Sequence, residues 1–309
     1  MKRYISYAIA VVILLVLPLA CSPYVLGVMI STAMFVSLGL GLNIVVGKCK
    51  LLDLGYAGFI GIGAYTTAIL MISFGYSFWI AALTSFISAF VAGILLGLPT
   101  IHLAGDYFAI VTFGFSELVV LMIRNWPAAT GGAIGLGGIP DPVLLGITLS
   151  RYPPTPYWYL ALSVVALTLS ITSALSKTLL DSQMVAIGDD IELAGTFGID
   201  STAIKLAAFS TSAGIAGLVG SFWAVYFKFL SYSEFSLTLS VQVLAIVVLA
   251  ASRSNVSVIL AALVLAPLGE FSRLLLRQAA LPESSRVVFY GAALMFVVFI
   301  RAKLTHRKD

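Results

Sequence analysis

The sequence predicts an all-α integral membrane protein, a polytopic bundle of about ten transmembrane helices, and three observations carry that prediction. Apolar residues make up 61% of the 309-residue chain and charged residues 10%, where a soluble domain carries about 25% charged residues. The mean hydropathy is +1.09. The apolar runs are continuous and about 20 residues long, the length a helix needs to cross a bilayer, and they lack the period of two that marks barrel strands.

The runs follow one another with short breaks. The first, residues 4–20, follows Lys2 and Arg3 and ends before Cys21, which imitates a secretory or lipoprotein signal; Pro18 suits a cleavage site poorly, and everything downstream is equally apolar, so the run reads as an uncleaved first helix. Further spans are predicted at 24–46, 51–74, 78–98 and 104–123, then at 157–176, 205–227, 237–251, 256–276 and 287–300. Between the two sets, residues 124–156 are rich in Gly and Pro, which predicts a structured loop or re-entrant segment rather than a regular span. Residues 177–204 form the other long connection. The whole of 1–309 therefore reads as a single transmembrane domain.

Loop charge sets the orientation, because cytoplasmic loops retain Lys and Arg. With both termini in the cytoplasm, Lys2, Arg3, Lys48, Lys50, Lys177, Lys205, Arg253, Arg301, Lys303, Arg307 and Lys308 fall inside, against Arg124, Arg151, Lys228, Arg273, Arg277 and Arg286 outside. Residues 124–156 then lie outside and 177–204 inside. Cys49 falls in a short inner loop, where it is expected to serve as a thiol probe once Cys21 is replaced. The two cysteines form no C-x-x-C pair, so neither a disulfide framework nor a metal site is indicated.

No Walker A pattern, H-E-x-x-H or G-x-S-x-G elbow occurs, and His102 and His306 are isolated; an enzyme is not indicated, and no cofactor or metal is expected in this chain. Small residues recur at four-residue spacing, as at Gly93 and Gly97 and at Ala213, Gly217 and Ser221, which predicts close helix packing within the chain. Acidic groups at membrane depth are a sharper signal, since each needs a polar cavity or a partner. Asp53 and Asp106 stand near predicted helix ends, where capping competes with a functional role. Glu117, read as the deepest acid, suits pathway lining and structural hydrogen bonding equally well. Glu270 and Arg273, three apart, suit mutual neutralisation.

Residues 186–209, AIGDDIELAGTFGIDSTAIKLAAF, are the one long charge-bearing break that also looks helical. Asp189, Asp190 and Glu192 are expected in the first turns of a short helix over about 189–197, where negative charge suits the helix dipole. Gly198 supplies the stop, and Ile191, Leu193, Ala194 and Phe197 give an apolar face. Such a helix either lies on the membrane or docks on a soluble partner.

The order of further motifs resembles the LivM-type permease subunits of branched-chain amino-acid ABC importers. The pieces are GLNIVVG at 41–47, LLDLGYAGFIGIGAY at 51–65, GDYFAIVTFGFSEL at 105–118, TGG at 130–132, YWYLAL at 157–162, the acidic segment at 186–199, and KLAAFSTSAGIAGLVG at 205–220. They cover about residues 30–300. The resemblance implies an importer permease in the cytoplasmic membrane that works with a second homologous permease chain, two ATPase subunits carrying ATP and Mg, and a periplasmic substrate-binding protein. It gives the 177–204 segment the role of ATPase coupling, through Asp189, Asp190, Glu192, Leu193, Ala194, Phe197 and Gly198. The expected pathway residues are Asn43, Asp53, Tyr56, Asp106, Thr112 and Glu117, with Thr130, Gly131 and Gly132 at the outer mouth. The chain departs from the family pattern at Lys50, where a small residue is usual, at Gly188, where a basic one is usual, at Glu192, displaced by one position, and at AASRSNVS over 250–257. Two other classes stay open on the residues alone: an ion-coupled secondary transporter using Asp106 or Glu117, and a membrane receptor or scaffold.

Overall fold

The structure, a computed structural model, describes residue 18 and residues 21–103, 105–144, 146–150 and 154–278. The predicted spans 287–300 and, apart from Pro18, 4–20 lie outside the described residues, as do the side chains of Glu270 and Arg273.

Helix α1 (Pro23–Asn43) starts where the Ser22 hydroxyl accepts from the Val25 amide and Pro23 occupies the first turn, both ordinary start devices. It runs on as a π-helical turn, Ile44–Lys48. Then come α2 (Tyr56–Ser73), α3 (Phe78–Thr100) and α4 (Asp106–Arg124). The Gly/Pro-rich connection folds into α5 (Pro127–Thr130) and the strands β1 (Leu136–Gly137), β2 (Val143–Leu144) and β3 (Ile147–Thr148). Next are α6 (Thr155–Leu175), the short α7 (Leu179–Asp189) and α8 (Ile191–Thr196), and the long α9 (Ser201–Phe227). Strand β4 (Phe229–Leu230) and a 3-10 turn (Tyr232–Phe235) lead into α10 (Leu237–Ala250) and α11 (Asn255–Gln278).

Six of these helices are long and apolar enough to cross a membrane, and two shorter apolar helices follow them. The sequence predicts eight full spans over the same stretch. The difference lies in α10, whose 14 residues reach only about 21 Å against a hydrocarbon core of about 30 Å, and in α11, apolar over Asn255–Leu268. The span predicted at 51–74 is also shorter, because 51–55 are not helical and α2 begins at Tyr56.

Helix α9 is the central element, packed most extensively on α3 and α2. Small residues allow this. A Cβ on Gly63 would lie 2.2 Å from the Gly217 carbonyl oxygen, one on Gly217 would lie 2.4 Å from that of Ser85, and one on Gly93 would lie 2.8 Å from the Ala213 Cβ. The expected packing role of the four-residue spacings is thus what the structure shows. The Ser85 hydroxyl donates to the Gly63 carbonyl at 2.8 Å within the same seam. On the far side of α3, Leu83, Ile87, Val91, Leu95 and Leu98 are exposed in a single stripe, the face that meets apolar surroundings.

Each end of the bundle carries its own set of charged groups. At one end β1 pairs antiparallel with β4, Lys228 meets Asp141 at 2.6 Å, and the Arg124 guanidinium stands over the Tyr232 ring. Lys48, Lys50 and Arg253 gather at the other. This is the grouping that loop charge predicts.

Candidate functional site

Between α1 and α2 the chain crosses the bundle interior without helix. Residues 49–55 follow the π turn, and Lys50 takes a positive φ of 53°. Its first residues, Cys49 and Lys50, stand at the charged end of the bundle, and its later part, with Asp53 and Gly55 buried, lies inside. The Leu54 amide donates to Thr112 Oγ1, two turns into α4, and the Tyr56 hydroxyl reaches the Ser212 carbonyl, about three turns into α9; at 1.5 Å per residue these points stand roughly 9 and 16 Å from the helix starts. Irregular backbone at such depth survives only when protein groups satisfy it. Here they do. Asp53 Oδ1 accepts from the Gly55 amide at 2.8 Å, Thr112 Oγ1 from Leu54 at 3.1 Å, and Ser240 Oγ of α10 from Ala57 at 2.9 Å.

Three polar atoms in this region are buried without a partner: Asp53 Oδ2, Ser116 Oγ and Asn43 Oδ1. Asp53 is 1% exposed. Ser116 follows Thr112 by one turn on α4 and faces the first turn of α2, where a Cβ on Gly58 would lie 3.1 Å from its Cα. Asn43 stands at the π turn, donating through Nδ2 to the Arg253 carbonyl.

Of the pathway residues expected from the sequence, the fold brings Asp53, Tyr56 and Thr112 together and leaves the others apart. Glu117 is half-buried on α4, so among the described residues the fully buried acid is Asp53 rather than Glu117. Asp106 is exposed in the first turn of α4. Thr130, Gly131 and Gly132 lie at the opposite end, where the Thr130 hydroxyl bonds the Ile123 and Trp126 carbonyls and accepts from the Gly132 amide. Gly131 and Gly132 take φ of 72° and 58°, which favours glycine. Ser240 escapes sequence reasoning because a single serine in an apolar helix carries no pattern.

Lys48 corrects a second expectation. It is not a solvated loop cation but 2% exposed, held by Asp181 at 2.5 Å and by Ser176 Oγ at 3.2 Å. Its neighbour Cys49 is buried too, and burial pushes its thiol up to about 12. A thiol that is neutral at ordinary pH and shielded cannot report sidedness, so Cys49 does not serve as the labelling probe.

The connection 177–204 holds two short helices, not one. Asp189 is the last residue of α7, whereas Asp190 caps α8 by accepting from the Glu192 and Leu193 amides. Gly198, at φ 75°, follows the end of α8, and the Ile199 amide donates back to the Ala194 carbonyl, closing the helix as a glycine stop does. Ala194 faces inward. Leu193, Phe197, Ile191 and Glu192 are exposed, Phe197 by 77%.

Asp189 accepts from Arg253 at 2.5 Å and Lys50 at 3.0 Å, which ties the end of α7 to the α10–α11 turn and to the non-helical stretch. Arg253, then Lys50, holds its carboxyl below the usual carboxylate range. A depressed carboxylate keeps its contribution above the unfolded value and loses it as pH falls through the folded one; the clamp is therefore intact at neutral pH and opens in acid. Among the described residues, no three His, Cys, Asp or Glu side chains gather as a metal site would.

The family described as branched-chain amino acid transport system, permease component, matches residues 24–298. The chain belongs to that family. It is 39% identical over 263 residues to the high-affinity branched-chain amino acid transport system permease protein LivM of Escherichia coli (strain K12), and equally to that of Salmonella typhimurium; each match covers 78% of this chain and 62% of the relative. It is 25% identical over 236 residues to the autoinducer 2 import system permease protein LsrC of Salmonella paratyphi B, covering 74% of this chain and 65% of that one. No solved structure matches. The helical architecture and the family together make this a multi-pass membrane protein.

Gly188 lies against the Lys48 carbonyl, where a Cβ would come within 2.1 Å, so no side chain fits there in this packing. Lys50 reaches the next residue along, Asp189.

Proposed function

We propose that this branched-chain permease family member is the membrane-spanning subunit of an ATP-driven importer of amino acids, branched-chain or otherwise hydrophobic. It performs no chemistry itself. ATP and Mg are bound by two ATPase subunits, a second homologous permease completes the channel, and a periplasmic binding protein delivers the solute. Both termini and α7–α8 face the cytoplasm, and Thr130–Gly132 stand near the outer mouth. The names of the relatives support this reading, and the observation that carries it is α8 itself: Leu193 and Phe197 project outward from a helix whose root is clamped to the buried break. Exposed apolar side chains beside a charged rim suit a contact with a protein or a membrane, and the clamp that links this helix to the interior favours the protein. Movement of ATPase-bound α8 then shifts α7, Lys50 and the 49–55 stretch between two packed arrangements. The ion-coupled alternative is less well supported, because Asp106 is exposed and Glu117 is only half-buried.

The docking surface is tested by Leu193→Glu with Phe197→Glu. Neither residue is buried, so the variant is expected to insert at normal abundance, fail to retain the ATPase on co-purification, and lose uptake by at least tenfold. Normal ATPase retention with normal uptake would remove α8 from the interface. Glu192→Lys is a milder probe; Asp190 is unsuitable because its loss also removes a cap worth about 1 kcal/mol.

Sidedness is tested at Lys177, which is exposed. In a background of Cys21→Ser and Cys49→Ala, Lys177→Cys is expected to resist a membrane-impermeant thiol reagent added outside intact cells and to react after permeabilisation. Rapid labelling from outside would invert the topology.

A further inference from the structure

The fold does not use all the polar groups around the break. Asp53 Oδ1 is spent on the Gly55 amide and the Thr112 hydroxyl stands beside the carboxyl, but Oδ2 makes no hydrogen bond, and neither does Ser116 Oγ. No basic side chain answers the carboxylate: the ion pairs among the described residues join Lys48, Lys50, Lys228 and Arg253 to Asp181, Asp189 and Asp141. A buried carboxylate oxygen without a donor is costly, and residues kept in such a state at a broken helix are candidates for contact with a transported group.

The surroundings fit an opening seam. A Cβ on Gly55 would lie 2.3 Å from the Thr112 carbonyl, and Gly58 lies against the Ser116 backbone, so glycine lets the start of α2 close flat on α4 and cover Asp53. The non-helical stretch that holds Asp53 also holds Lys50, which grips Asp189 at the root of α8. A pull on α8 therefore acts on the backbone three residues from Asp53.

We propose, resting on the amino-acid permease reading above, that Asp53 is the acceptor for the cationic α-ammonium group of the passing amino acid. Oδ2 takes the ammonium and Ser116 Oγ is its second hydrogen-bond partner, both uncovered when α2 parts from α4. The structure shows the seam closed. Specificity follows: solutes with an ammonium group are favoured over isosteric hydroxy acids, while the apolar side chain is read elsewhere.

The test uses the complete assembly in proteoliposomes with labelled leucine, scored as uptake per ATP hydrolysed at matched abundance. Asp53→Asn keeps the Oδ1 acceptor for Gly55 and the side-chain shape, and removes the charge; uptake per ATP is expected to fall at least tenfold. Ser116→Ala is expected to fall about threefold. Replacing sodium by choline is expected to leave wild-type uptake unchanged; sodium-dependent uptake lost in Asp53→Asn would make the occupant a metal cation and overturn the proposal. Wild-type coupling in Asp53→Asn would overturn it as well, and if that variant fails to assemble, wild-type coupling in Ser116→Ala does so. Wild-type leucine uptake that ignores ATP would instead sink the importer reading on which this rests.

Discussion

Gly63→Ala is expected to strip most of the protein from the membrane, with abundance falling more than fivefold and the residual protein melting well below wild type. The added methyl would lie 2.2 Å from the Gly217 carbonyl oxygen. Its neighbour is backbone in the middle of α9, so no side chain can swing away and the two helices must separate. Overpacking costs about 1–3 kcal/mol where side chains can give way, and a backbone clash at the central seam belongs at or above the top of that range. Gly220→Ala, at 2.2 Å from the Ile60 carbonyl, should behave alike. Gly114→Ala and Gly195→Ala meet nothing within 4 Å and are expected to be neutral. Equal abundance for Gly63→Ala and Gly114→Ala, measured by immunoblot of membranes and by thermal melting, would contradict the packing account.

The second large effect belongs to the Lys48–Asp181 pair, and it is asymmetric. Lys48 is 2% exposed and Asp181 24%. Asp181→Ala strands a buried ammonium with only Ser176 Oγ beside it, at a cost of about 3 kcal/mol, the lower end for breaking a buried pair. Lys48→Met leaves a carboxylate that still reaches water, so its cost should be smaller. The double variant should recover most of the loss, because no unpaired charge remains inside. Thermal melts of the four proteins form the cycle; additive losses would mean that the pair is not coupled.

Much of the bundle was legible because span length and continuous apolarity leave a helix little choice in hydrocarbon. The small-residue spacing around Gly217 gave the central packing for the same local reason. Helix ends within the bundle were less legible. Nothing apolar distinguishes residues 51–55 from the helix that follows, and the break there depends on Thr112 and Ser240, acceptors supplied from α4 and α10. Lys48 and Cys49 read as loop residues because two lysines, Lys48 and Lys50, interrupt the apolar run, whereas tertiary contact with α7 buries them. The acidic run of 186–199 announced a helix start, and Asp190 provides it; Asp189 went to the preceding helix because Arg253 and Lys50, distant in sequence, hold it there. That Asp53 rather than Glu117 is the deeply buried acid was not legible, because position along the chain does not tell which face meets the interior.

On the proposed reading, transport through this chain is driven by ATPases acting on α8. Leucine uptake into proteoliposomes decides it, with the chain reconstituted alone or with the second permease, the ATPase and the binding protein, each with ATP inside or an ion gradient imposed. Accumulation is expected only in the complete assembly with ATP, and Leu193→Glu with Phe197→Glu is expected to abolish it. Accumulation by the chain alone on a proton or sodium gradient would contradict it.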